Sequence, residues 1–504
     1  MKAILEPALS SPGHRVACSI CGMSSYDSIT ALDASALSDQ IHRRQVSCLD
    51  VMHSYLERIA RLNPLHNAII NMASTESLLS QARQCDEELS RGHSRGWMHG
   101  MPQAIKDTGD AMGFPSTRGS AVLKSTLPTR DSIMVARMKA AGCIVIGKTN
   151  MPELGLGSHT FNTVFGPTRN AWDPQVSAGG SSGGGAVSLA LRMLPVADGS
   201  DFMGSLRNPA SWNHLFGLRP AQGRVPAGPG PDVWLDQLST DGPMARSVRD
   251  LARLLSTQAG HAPRQPLSIS TPWTEAPITS GTDALQGLRI GWLGDLNGHL
   301  ALEDGIEDVC LQALQVMQSH GTQVQHIPLG FDPNVLWNCW LVWRRALVGP
   351  KVAALLEHPG AIDLVKPEAL WEYENSLKLS AMDFMRASQT RTAYYHHLLK
   401  LFERYDVLAL PATQVWPFPV EARWPEQING RAMDTYHRWM ECTLYATLGG
   451  LPAISMPAGF HREHPWPMGI QLIGPPQGEA KLIHVAAAYE ASRREWIEQA
   501  PPSA

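Results

Sequence analysis

The sequence predicts an α/β fold in which a parallel or mixed β-sheet is covered by helices on both faces. Two observations support this prediction. Helix and strand patterns alternate along the first part of the chain, an order typical of a sheet packed between helical layers. The chain has 504 residues, 43% of them apolar, which is enough to bury a large core. A third observation, a long stretch of helical pattern over residues 332–405, predicts a mostly helical region in the C-terminal half.

Two helices are expected at the start of the folded part. Asp33 is a suitable N-cap for a helix that places Leu37 and Ile41 on one face. Ser47 is expected to begin a second helix that ends at Pro64, because proline cannot continue the hydrogen-bond ladder. The second helix carries apolar residues at helical spacing, namely Val51, Tyr55, Ile59 and Leu62.

Later segments continue the alternation. Strands are expected over residues 67–72 and 143–146, with a helix over 135–141 leading into the second strand. Residues 263–284 are rich in Pro, Ser and Thr and are expected to form a surface connection. Within residues 332–405, two of three regularly spaced tryptophans are expected to be core residues; the three are Trp337, Trp340 and Trp343.

Composition narrows the classes of function. The net charge is −4 and no long basic stretch occurs, which argues against a nucleic-acid partner. No apolar run reaches the length of a membrane helix, and the N-terminus is a poor signal peptide, so we expect a cytoplasmic protein without membrane association. The eight cysteines are scattered along the chain, a distribution that suits reduced thiols rather than a disulfide framework. Cys18 and Cys21 fall in residues 1–27, which we interpret as a disordered extension.

Three motif matches are interpreted as incidental. Residues 142–149 fit the phosphate-loop pattern, but their interior is a β-branched run that favours an extended strand. The Gly-x-Ser-x-Gly pattern is met twice within one Gly/Ser tract, at Ser181 and Ser182, and so carries little information. His461 and His464 lack the order of a zinc-binding motif and are expected to lie in a loop.

Two serine- and glycine-rich segments and one lysine carry the residue types that acyl transfer needs. The segments are residues 177–185 and 201–207, and the lysine is Lys106. A serine hydroxyl becomes a good nucleophile when a neighbour removes its proton, and a lysine can do so when desolvation lowers its pKa. A flexible linker is the other interpretation of the Gly/Ser composition. The apolar run that follows favours a loop opening onto a buried helix.

These segments, in this order, resemble the amidase signature family of Ser-Ser-Lys hydrolases. The resemblance extends over residues 28–504, which are expected to form a single domain with a mixed sheet sandwiched by helices and with residues 332–405 on the substrate side. Further matching segments are residues 147–150, 170–174, 204–210, 216–220, 449–453, 456–459 and 469–475.

The resemblance implies a catalytic role for three residues: Lys106 as the base, Ser181 as the relay and Ser205 as the acyl-bearing nucleophile. It implies an oxyanion hole built from backbone N–H groups of Phe202, Met203, Gly204 and Ser205, and substrate contacts from Gly179, Gly180 and Ser182. Asp107 is expected to be structural, because a carboxylate paired to Lys106 would hold that lysine charged. No metal or cofactor is implied. The expected partners are a small amide and water, and a homodimer is left open.

One departure from the family pattern bears on specificity. Family members usually carry two glycines before the nucleophile, whereas here Met203 occupies the first position, beside Phe202. A methionine held at positive φ would carry strain of about 1–2 kcal/mol. We expect these side chains to make an apolar wall near the scissile bond and to favour apolar acyl groups over glutamine.

The resemblance predicts an amidase that hydrolyses the C–N bond of a carboxamide, with esters and carbamates as further substrates. The alternative within the family is the glutaminase subunit of a tRNA-dependent amidotransferase, ranked second because Phe202, Met203 and Asn208 depart from the pattern expected there. A non-catalytic binding protein is disfavoured because Lys106, Ser181 and Ser205 are all present.

Overall fold

The computed structural model describes residues 25–228, 230–274, 278 and 281–504. Cys18, Cys21 and most of the predicted N-terminal extension lie outside these residues, as does part of the predicted connection over 263–284. The first helix begins at Ser25, so the last residues assigned to the extension belong to the folded chain.

The described part of the chain contains fifteen α-helices, which are, in chain order, α1 (Ser25–Ala31), α2 (Ala34–His42), α3 (Cys48–His66), α4 (Thr75–Ser90), α5 (Ile133–Ala140), α6 (Gly183–Ala190), α7 (Arg207–Trp212), α8 (Val248–Gln258), α9 (Ile306–Ser319), α10 (Pro333–Leu356), α11 (Pro367–Ser376), α12 (Ala381–Arg404), α13 (Leu444–Leu448), α14 (Glu479–Ser492) and α15 (Arg494–Ile497).

The strands of the same residues are β1 (Ile69–Ile70), β2 (Pro102–Lys106), β3 (Ile144–Thr149), β4 (Ala197–Asp201), β5 (Phe216–Arg219), β6 (Thr240–Ala245), β7 (Arg289–Trp292), β8 (Gln323–His326), β9 (Val407–Pro411), β10 (Gln427–Ile428), β11 (Arg431–Ala432), β12 (Ala453–Phe460) and β13 (Pro467–Ile473).

An eight-stranded sheet organises the domain, with the order β4-β6-β5-β12-β13-β9-β7-β8. Its pairs are antiparallel except that β7 runs parallel to both β8 and β9. The sheet is therefore mixed, which confirms the predicted fold class. A separate three-stranded sheet, β1-β3-β2, lies on the N-terminal side, and β10 pairs with β11 in a short hairpin.

The large sheet separates two apolar cores because successive side chains of a strand point to opposite faces. In β9, Val407 and Ala409 pack in the cluster formed with α8, α9 and α14. Leu408 and Leu410 pack in the cluster formed with α10, α12 and α13. Helices thus cover both faces, as predicted.

Most of the predicted helices are confirmed. Asp33 caps α2 by accepting a hydrogen bond from the Ala36 amide at 2.6 Å, and Ser47 caps α3 in a capping box. The prediction that Pro64 ends α3 was wrong, since the helix continues to His66. A proline in the last turn removes a single ladder bond, and the left-handed Asn67 then ends the helix, with its amide donating to Asn63 O.

The strand predicted over residues 67–72 is confined to Ile69–Ile70. Asn67 and Asn71 on either side have positive φ, which removes both from an extended conformation. The helical region of residues 332–405 is confirmed as α10, α11 and α12. Its three regularly spaced tryptophans are all at most 4% exposed, so all three are core residues.

Across the described ranges, no helix combines the length and the apolar character needed to cross a membrane.

Candidate active site

Lys106 is the last residue of β2 and is 1% exposed. Its backbone N–H donates to Asp198 Oδ2 at 3.0 Å, and Gln103 Nε2 donates to Asp198 Oδ1 at 3.2 Å. Asp198 belongs to β4, so this carboxylate ties the small sheet to the edge of the large one. The lysine side chain is thereby directed into the interior rather than to solvent.

Serine hydroxyls surround the Lys106 ammonium. Nζ lies 2.8 Å from Ser181 Oγ and 2.8 Å from Ser182 Oγ. It lies 2.9 Å from Ser200 Oγ and 3.3 Å from the Ser200 carbonyl oxygen. The structure therefore brings Lys106 and Ser181 together as the sequence predicted. It adds Ser200, which sequence reasoning missed although the residue directly precedes the predicted loop.

The pKa of Lys106 is strongly perturbed. Burial lowers this pKa from 10.5 to about 7, although the carboxylates of Asp241 and Asp198 act in the opposite direction. Asp241 lies opposite Ser200 in the β4–β6 ladder, and burial raises its own pKa to about 7. A neutral amine is thus accessible near neutral pH, which a general base requires.

The Gly/Ser segment is a packed loop and not a flexible linker. Residues 177–185 are buried throughout and lead into α6, which begins at Gly183. A Cβ on Gly183 would lie 2.3 Å from Thr160 Oγ1, and a Cβ on Gly184 would lie 2.4 Å from Asn150 N. Glycine is needed at these positions because the neighbouring loop approaches too closely for a side chain. The peptide bond between Gly180 and Ser181 is cis.

The residues predicted to contact substrate in this loop, Gly179, Gly180 and Ser182, make the following internal contacts. Ser182 is fully buried and its hydroxyl contacts Lys106 Nζ, so it belongs to the environment of the lysine. The Gly179 carbonyl accepts a hydrogen bond from Thr160 Oγ1 at 2.8 Å, and the Gly179 amide donates to Ser177 Oγ at 3.1 Å. Gly180 is buried beside Ser158, with a Cβ position 3.1 Å from the Ser158 carbonyl carbon.

A buried network of ion pairs stabilises the loop formed by residues 201–207. Asp201 Oδ1 lies 2.9 Å from Arg207 Nη2 and 3.4 Å from Arg219 Nη1, and all three side chains are inaccessible to solvent. Burial alone would raise the pKa of Asp201, but the Arg207 and Arg219 guanidiniums outweigh it and hold this pKa well below its usual range. Arg207 also donates to Gln471 Oε1 at 2.7 Å, which anchors the loop to the central strand β13.

Ser205 lies in this loop, next to the Gly/Ser segment. The Ser182 amide donates to the Ser205 carbonyl at 3.2 Å, which links the two loops, and Ser205 is 5% exposed. Gly204, and not Met203, has the positive φ, at +86°, so the strain considered for Met203 does not arise. The Gly204 amide donates to Asp201 Oδ1 at 2.9 Å, so this predicted oxyanion donor is already engaged.

The two side chains before Gly204 have different environments. Met203 is 2% exposed and belongs to the core cluster that includes Trp212. Phe202 is half-buried, and its ring centroid lies 5.1 Å from that of Trp340. Met203 is therefore a core residue, and of the two side chains expected to form a wall near the scissile bond only Phe202 is partly exposed.

Asp107 has the structural role that was predicted. Its Oδ1 lies 3.2 Å from Lys148 Nζ, and its carboxylate accepts hydrogen bonds from the amide and the hydroxyl of Thr117. Lys148 is the lysine of the phosphate-loop match, and it lies in β3, so the extended conformation predicted for that segment is confirmed. His461 and His464 lie in the loop between β12 and β13, also as predicted.

One group of potential metal ligands occurs in the described ranges, remote in sequence from the Gly/Ser segment. Cys85, Glu88 and His99 place ligand atoms within 4.8 Å of one another. Both ring nitrogens of His99 are engaged, since the Arg95 amide donates to Nδ1 at 3.1 Å and Nε2–H donates to the Cys85 carbonyl at 2.9 Å. Glu88 is paired with Arg95 Nε at 2.7 Å. These hydrogen bonds account for the group without an ion.

A narrow aromatic pocket opens beside the Gly/Ser segment. We call it the aromatic pocket and define it by six of its lining residues: Ser158, Phe161, Lys366, Trp424, Tyr436 and Trp439. A second cavity of about 130 Å³ is lined by residues that include His299, Arg438 and Glu441, and none of the predicted catalytic residues lines it. Arg438 pairs with Glu441, and His299 Nε2 lies 2.8 Å from Glu441 Oε1.

Comparison with known proteins identifies the family. A family model described as Amidase matches residues 50–483. The chain belongs to the amidase signature family. It is accordingly a hydrolase that acts on carbon–nitrogen bonds.

Relatives and solved structures cover nearly the whole chain. A glutamyl-tRNA(Gln) amidotransferase subunit from Thermus thermophilus is 33% identical, covering 91% of this chain and 96% of the relative. The protein of the same name from Acidothermus cellulolyticus is 31% identical, covering 92% of this chain and 94% of the relative. Among solved structures, a bacterial aryl acylamidase of the amidase signature family has a TM-score of 0.85 at 27% identity, covering 94% of this chain and 98% of the other. A 6-aminohexanoate cyclic dimer hydrolase has a TM-score of 0.81 at 25% identity, covering 94% of this chain and 99% of the other.

Proposed function

We propose that the enzyme is a carboxamide amidase that works through a serine acyl-enzyme, with Ser205 as nucleophile, Ser181 as relay and Lys106 as base. The observation that carries the proposal is the 2.8 Å contact between Lys106 Nζ and Ser181 Oγ in a fully buried setting. A desolvated lysine with a pKa of about 7 is a competent base near neutral pH.

The contact between Lys106 and Ser181 supports one step of the proposed proton path. The neutral Lys106 amine accepts the Ser181 proton, while Ser181 Oγ accepts the proton of Ser205 as its oxygen attacks the amide carbonyl. The same path in reverse delivers a proton to the leaving amine, and a second passage activates the water that releases the acid. Ser182 and Ser200 complete the hydrogen bonds of Lys106 Nζ and so fix where it points.

The developing oxyanion needs backbone donors near Ser205. Because the Gly204 amide donates to Asp201, we assign the role to the amides of Phe202, Met203 and Ser205. The buried Asp201–Arg207 pair keeps this loop in one conformation. Preorganised donors of this kind are worth about 3–4 kcal/mol each in other hydrolases.

Covalent labelling tests the proposal. A fluorophosphonate should modify Ser205, with the adduct located by mass spectrometry, and Ser205→Ala should remove both labelling and amide hydrolysis. A matched control is Ser90→Ala, which changes an exposed serine of α4. An adduct on Ser181 or Ser182 would overturn the assignment of the nucleophile.

A second candidate is the amidotransferase subunit for which the relatives from Thermus and Acidothermus are named. Their identity over nearly the full chain favours it. Phe202 beside the nucleophile disfavours it, because an apolar side chain there suits an apolar substrate better than glutamine. Glutaminase activity, together with a partner chain that co-purifies with the protein, would reverse the order of the two candidates.

A further inference from the structure

Arg219 binds the backbone at the start of the loop formed by residues 201–207. It is the last residue of β5, and its side chain is inaccessible to solvent. Arg219 Nη1 donates to the Asp201 carbonyl oxygen at 2.5 Å, and Nη2 donates to the Leu238 carbonyl oxygen at 2.9 Å. Asp201 ends β4, and Leu238 lies just before β6, the strand that pairs with both β4 and β5. One guanidinium therefore joins two neighbouring chain segments at the same end of the sheet.

The two buried arginines near this loop bind different parts of Asp201. Arg207 Nε lies 3.0 Å from Oδ2 and Arg207 Nη2 lies 2.9 Å from Oδ1, so Arg207 binds the carboxylate through two nitrogens. Arg219 Nη1 lies 3.4 Å from Oδ1 and is much closer to the carbonyl oxygen. Burial lowers the pKa of Arg219 to about 10, which leaves its guanidinium charged at neutral pH. Arg207 thus holds the side chain of Asp201, whereas Arg219 holds its main chain with a charged donor.

The bond from Arg219 also fixes the direction of a neighbouring amide. A peptide bond is planar, so the Asp201 carbonyl and the Phe202 N–H lie in one plane and point in opposite directions. Rotation of that plane would break a charge-assisted hydrogen bond, which is stronger than a neutral one. The Phe202 N–H is one of the three amides assigned above to the oxyanion hole. The orientation of this donor therefore depends on Arg219.

A second amide of the proposed oxyanion hole is held within the loop itself. The Ser205 N–H shares its peptide unit with the Gly204 carbonyl, which accepts a hydrogen bond from the Asn208 amide at 2.7 Å. That bond spans only four residues, whereas the bond from Arg219 to Asp201 comes from another strand. Two donors must converge on one oxygen to stabilise an oxyanion. Arg219 supplies the contact that relates the first donor to the sheet.

We propose that Arg219 is a positioning residue for the oxyanion hole, and that its bond to the Asp201 carbonyl directs the Phe202 N–H toward the oxygen that becomes negatively charged in the transition state. This inference rests on the proposed function and adds a residue to it. A donor that acts in the transition state affects kcat and leaves KM nearly unchanged when it is misdirected. A merely structural role would lower the amount of folded enzyme and leave the kcat of the folded fraction unaltered.

Hydrolysis of hexanamide and inhibition by 1,1,1-trifluoro-2-heptanone test this role. The ketone carries the same pentyl group as hexanamide, and addition of a serine hydroxyl converts it into a tetrahedral oxyanion, so its Ki reports on the oxyanion hole. Arg219→Met removes the guanidinium and keeps an unbranched side chain. It should lower kcat about 30- to 100-fold, raise the Ki of the ketone by a similar factor and change KM less than about threefold.

Two further variants control for folding. Arg224→Met removes another buried arginine, whose Nε lies 3.3 Å from Glu479 Oε1, outside the loop of residues 201–207. It should lose stability in a urea titration and keep kcat and the ketone Ki within about twofold of the wild type. Arg219→Lys keeps a charged donor and should recover kcat and Ki to within about tenfold. A folded Arg219→Met enzyme that matches Arg224→Met in kcat and Ki would overturn the proposal, as would a rise in KM at unchanged kcat.

A crystal structure of the wild type with the bound ketone tests the proposal without any variant. The oxygen of the tetrahedral adduct should lie about 2.7–3.1 Å from Phe202 N, with the Asp201 carbonyl still accepting from Arg219. An adduct oxygen beyond hydrogen-bonding distance of Phe202 N would overturn the proposal, even if Arg219→Met does not fold.

The ketone also separates failure of this inference from failure of the proposed function. If Ser205→Ala binds the ketone as tightly as the wild type does, Ser205 does not form the adduct and the proposed function fails. If binding requires Ser205 but the Ki is unchanged in folded Arg219→Met, the positioning role fails and the proposed function stands.

Discussion

The pKa of Lys106 leads to a prediction about the pH dependence of the enzyme. If the neutral amine is the base, kcat/KM should rise with pH through the lysine pKa of about 7 and level off above about pH 8. About half of a group with this pKa is neutral at pH 7, against roughly one part in 3,000 for a lysine of ordinary pKa. Burial therefore supplies a factor of about 1,500 in the population of the active form.

Asp241→Asn is the perturbation that tests the origin of this pKa. Asp241 is the carboxylate that opposes the effect of burial most strongly, so its removal should lower the lysine pKa. An attraction of about 1 kcal/mol between the two charges would correspond to about 0.7 pKa unit. Since Asp241 itself has a pKa of about 7 and is only partly ionised there, we expect the lysine pKa to fall by about half a unit at most.

The assay is the pH profile of kcat/KM on a neutral amide between about pH 5.5 and 9. Asp241→Asn should move the midpoint of the rise to lower pH by about half a unit at most and leave the plateau above pH 8 nearly unchanged. Asp363→Asn, which changes an exposed carboxylate in the helical region, should leave the profile unmoved. A wild-type profile without a rise near pH 7, or a shift of the Asp241→Asn profile to higher pH, would refute the reasoning.

Three further predictions concern the same site. Lys106→Met should abolish turnover and raise the free energy of unfolding by about 1–3 kcal/mol at pH 6. The lysine has a pKa of about 7 in the native protein and near 10.5 in the unfolded chain. Between these two pH values the unfolded chain binds more protons, so the stability of the wild type rises with pH. The stability advantage of Lys106→Met should therefore be smaller at pH 9 than at pH 6, as measured by urea titration. Met203→Gly should cost about 2–4 kcal/mol of stability, because Met203 is 2% exposed in a core cluster. Phe202→Gly should cost less stability than Met203→Gly, because Phe202 is half-buried, and should reduce the preference for apolar acyl groups over glutamine; unchanged selectivity would place Phe202 outside the substrate pocket.

Local features of the fold were predictable from the sequence because they depend on neighbouring residues. The cap at Ser47 and the helical region of residues 332–405 follow from short-range patterns. The end of α3 was predicted wrongly at Pro64 because it, too, depends on neighbouring residues. The cost of a proline depends on how many ladder bonds follow it, and the end of the helix was set by Asn67 three residues later.

By itself, the sequence determined the class of protein and gave Lys106, Ser181 and Ser205 as candidates for its chemistry. Segments matching the amidase signature family along the chain included Lys106 and Ser181, and the structure brings their side chains into contact. That much is available from sequence because residue types and their order along the chain define the family.

Only the tertiary structure decided how the environment of Lys106 is tuned. Ser200 and Asp241 carry no signal of their own, since each is an ordinary residue until strands and loops distant in sequence pack around it. The pKa of Lys106 depends on its burial and on Asp241, which is 135 positions later in the chain. Desolvation and hydrogen-bond satisfaction are properties of a three-dimensional environment, and the linear order of residues does not specify them.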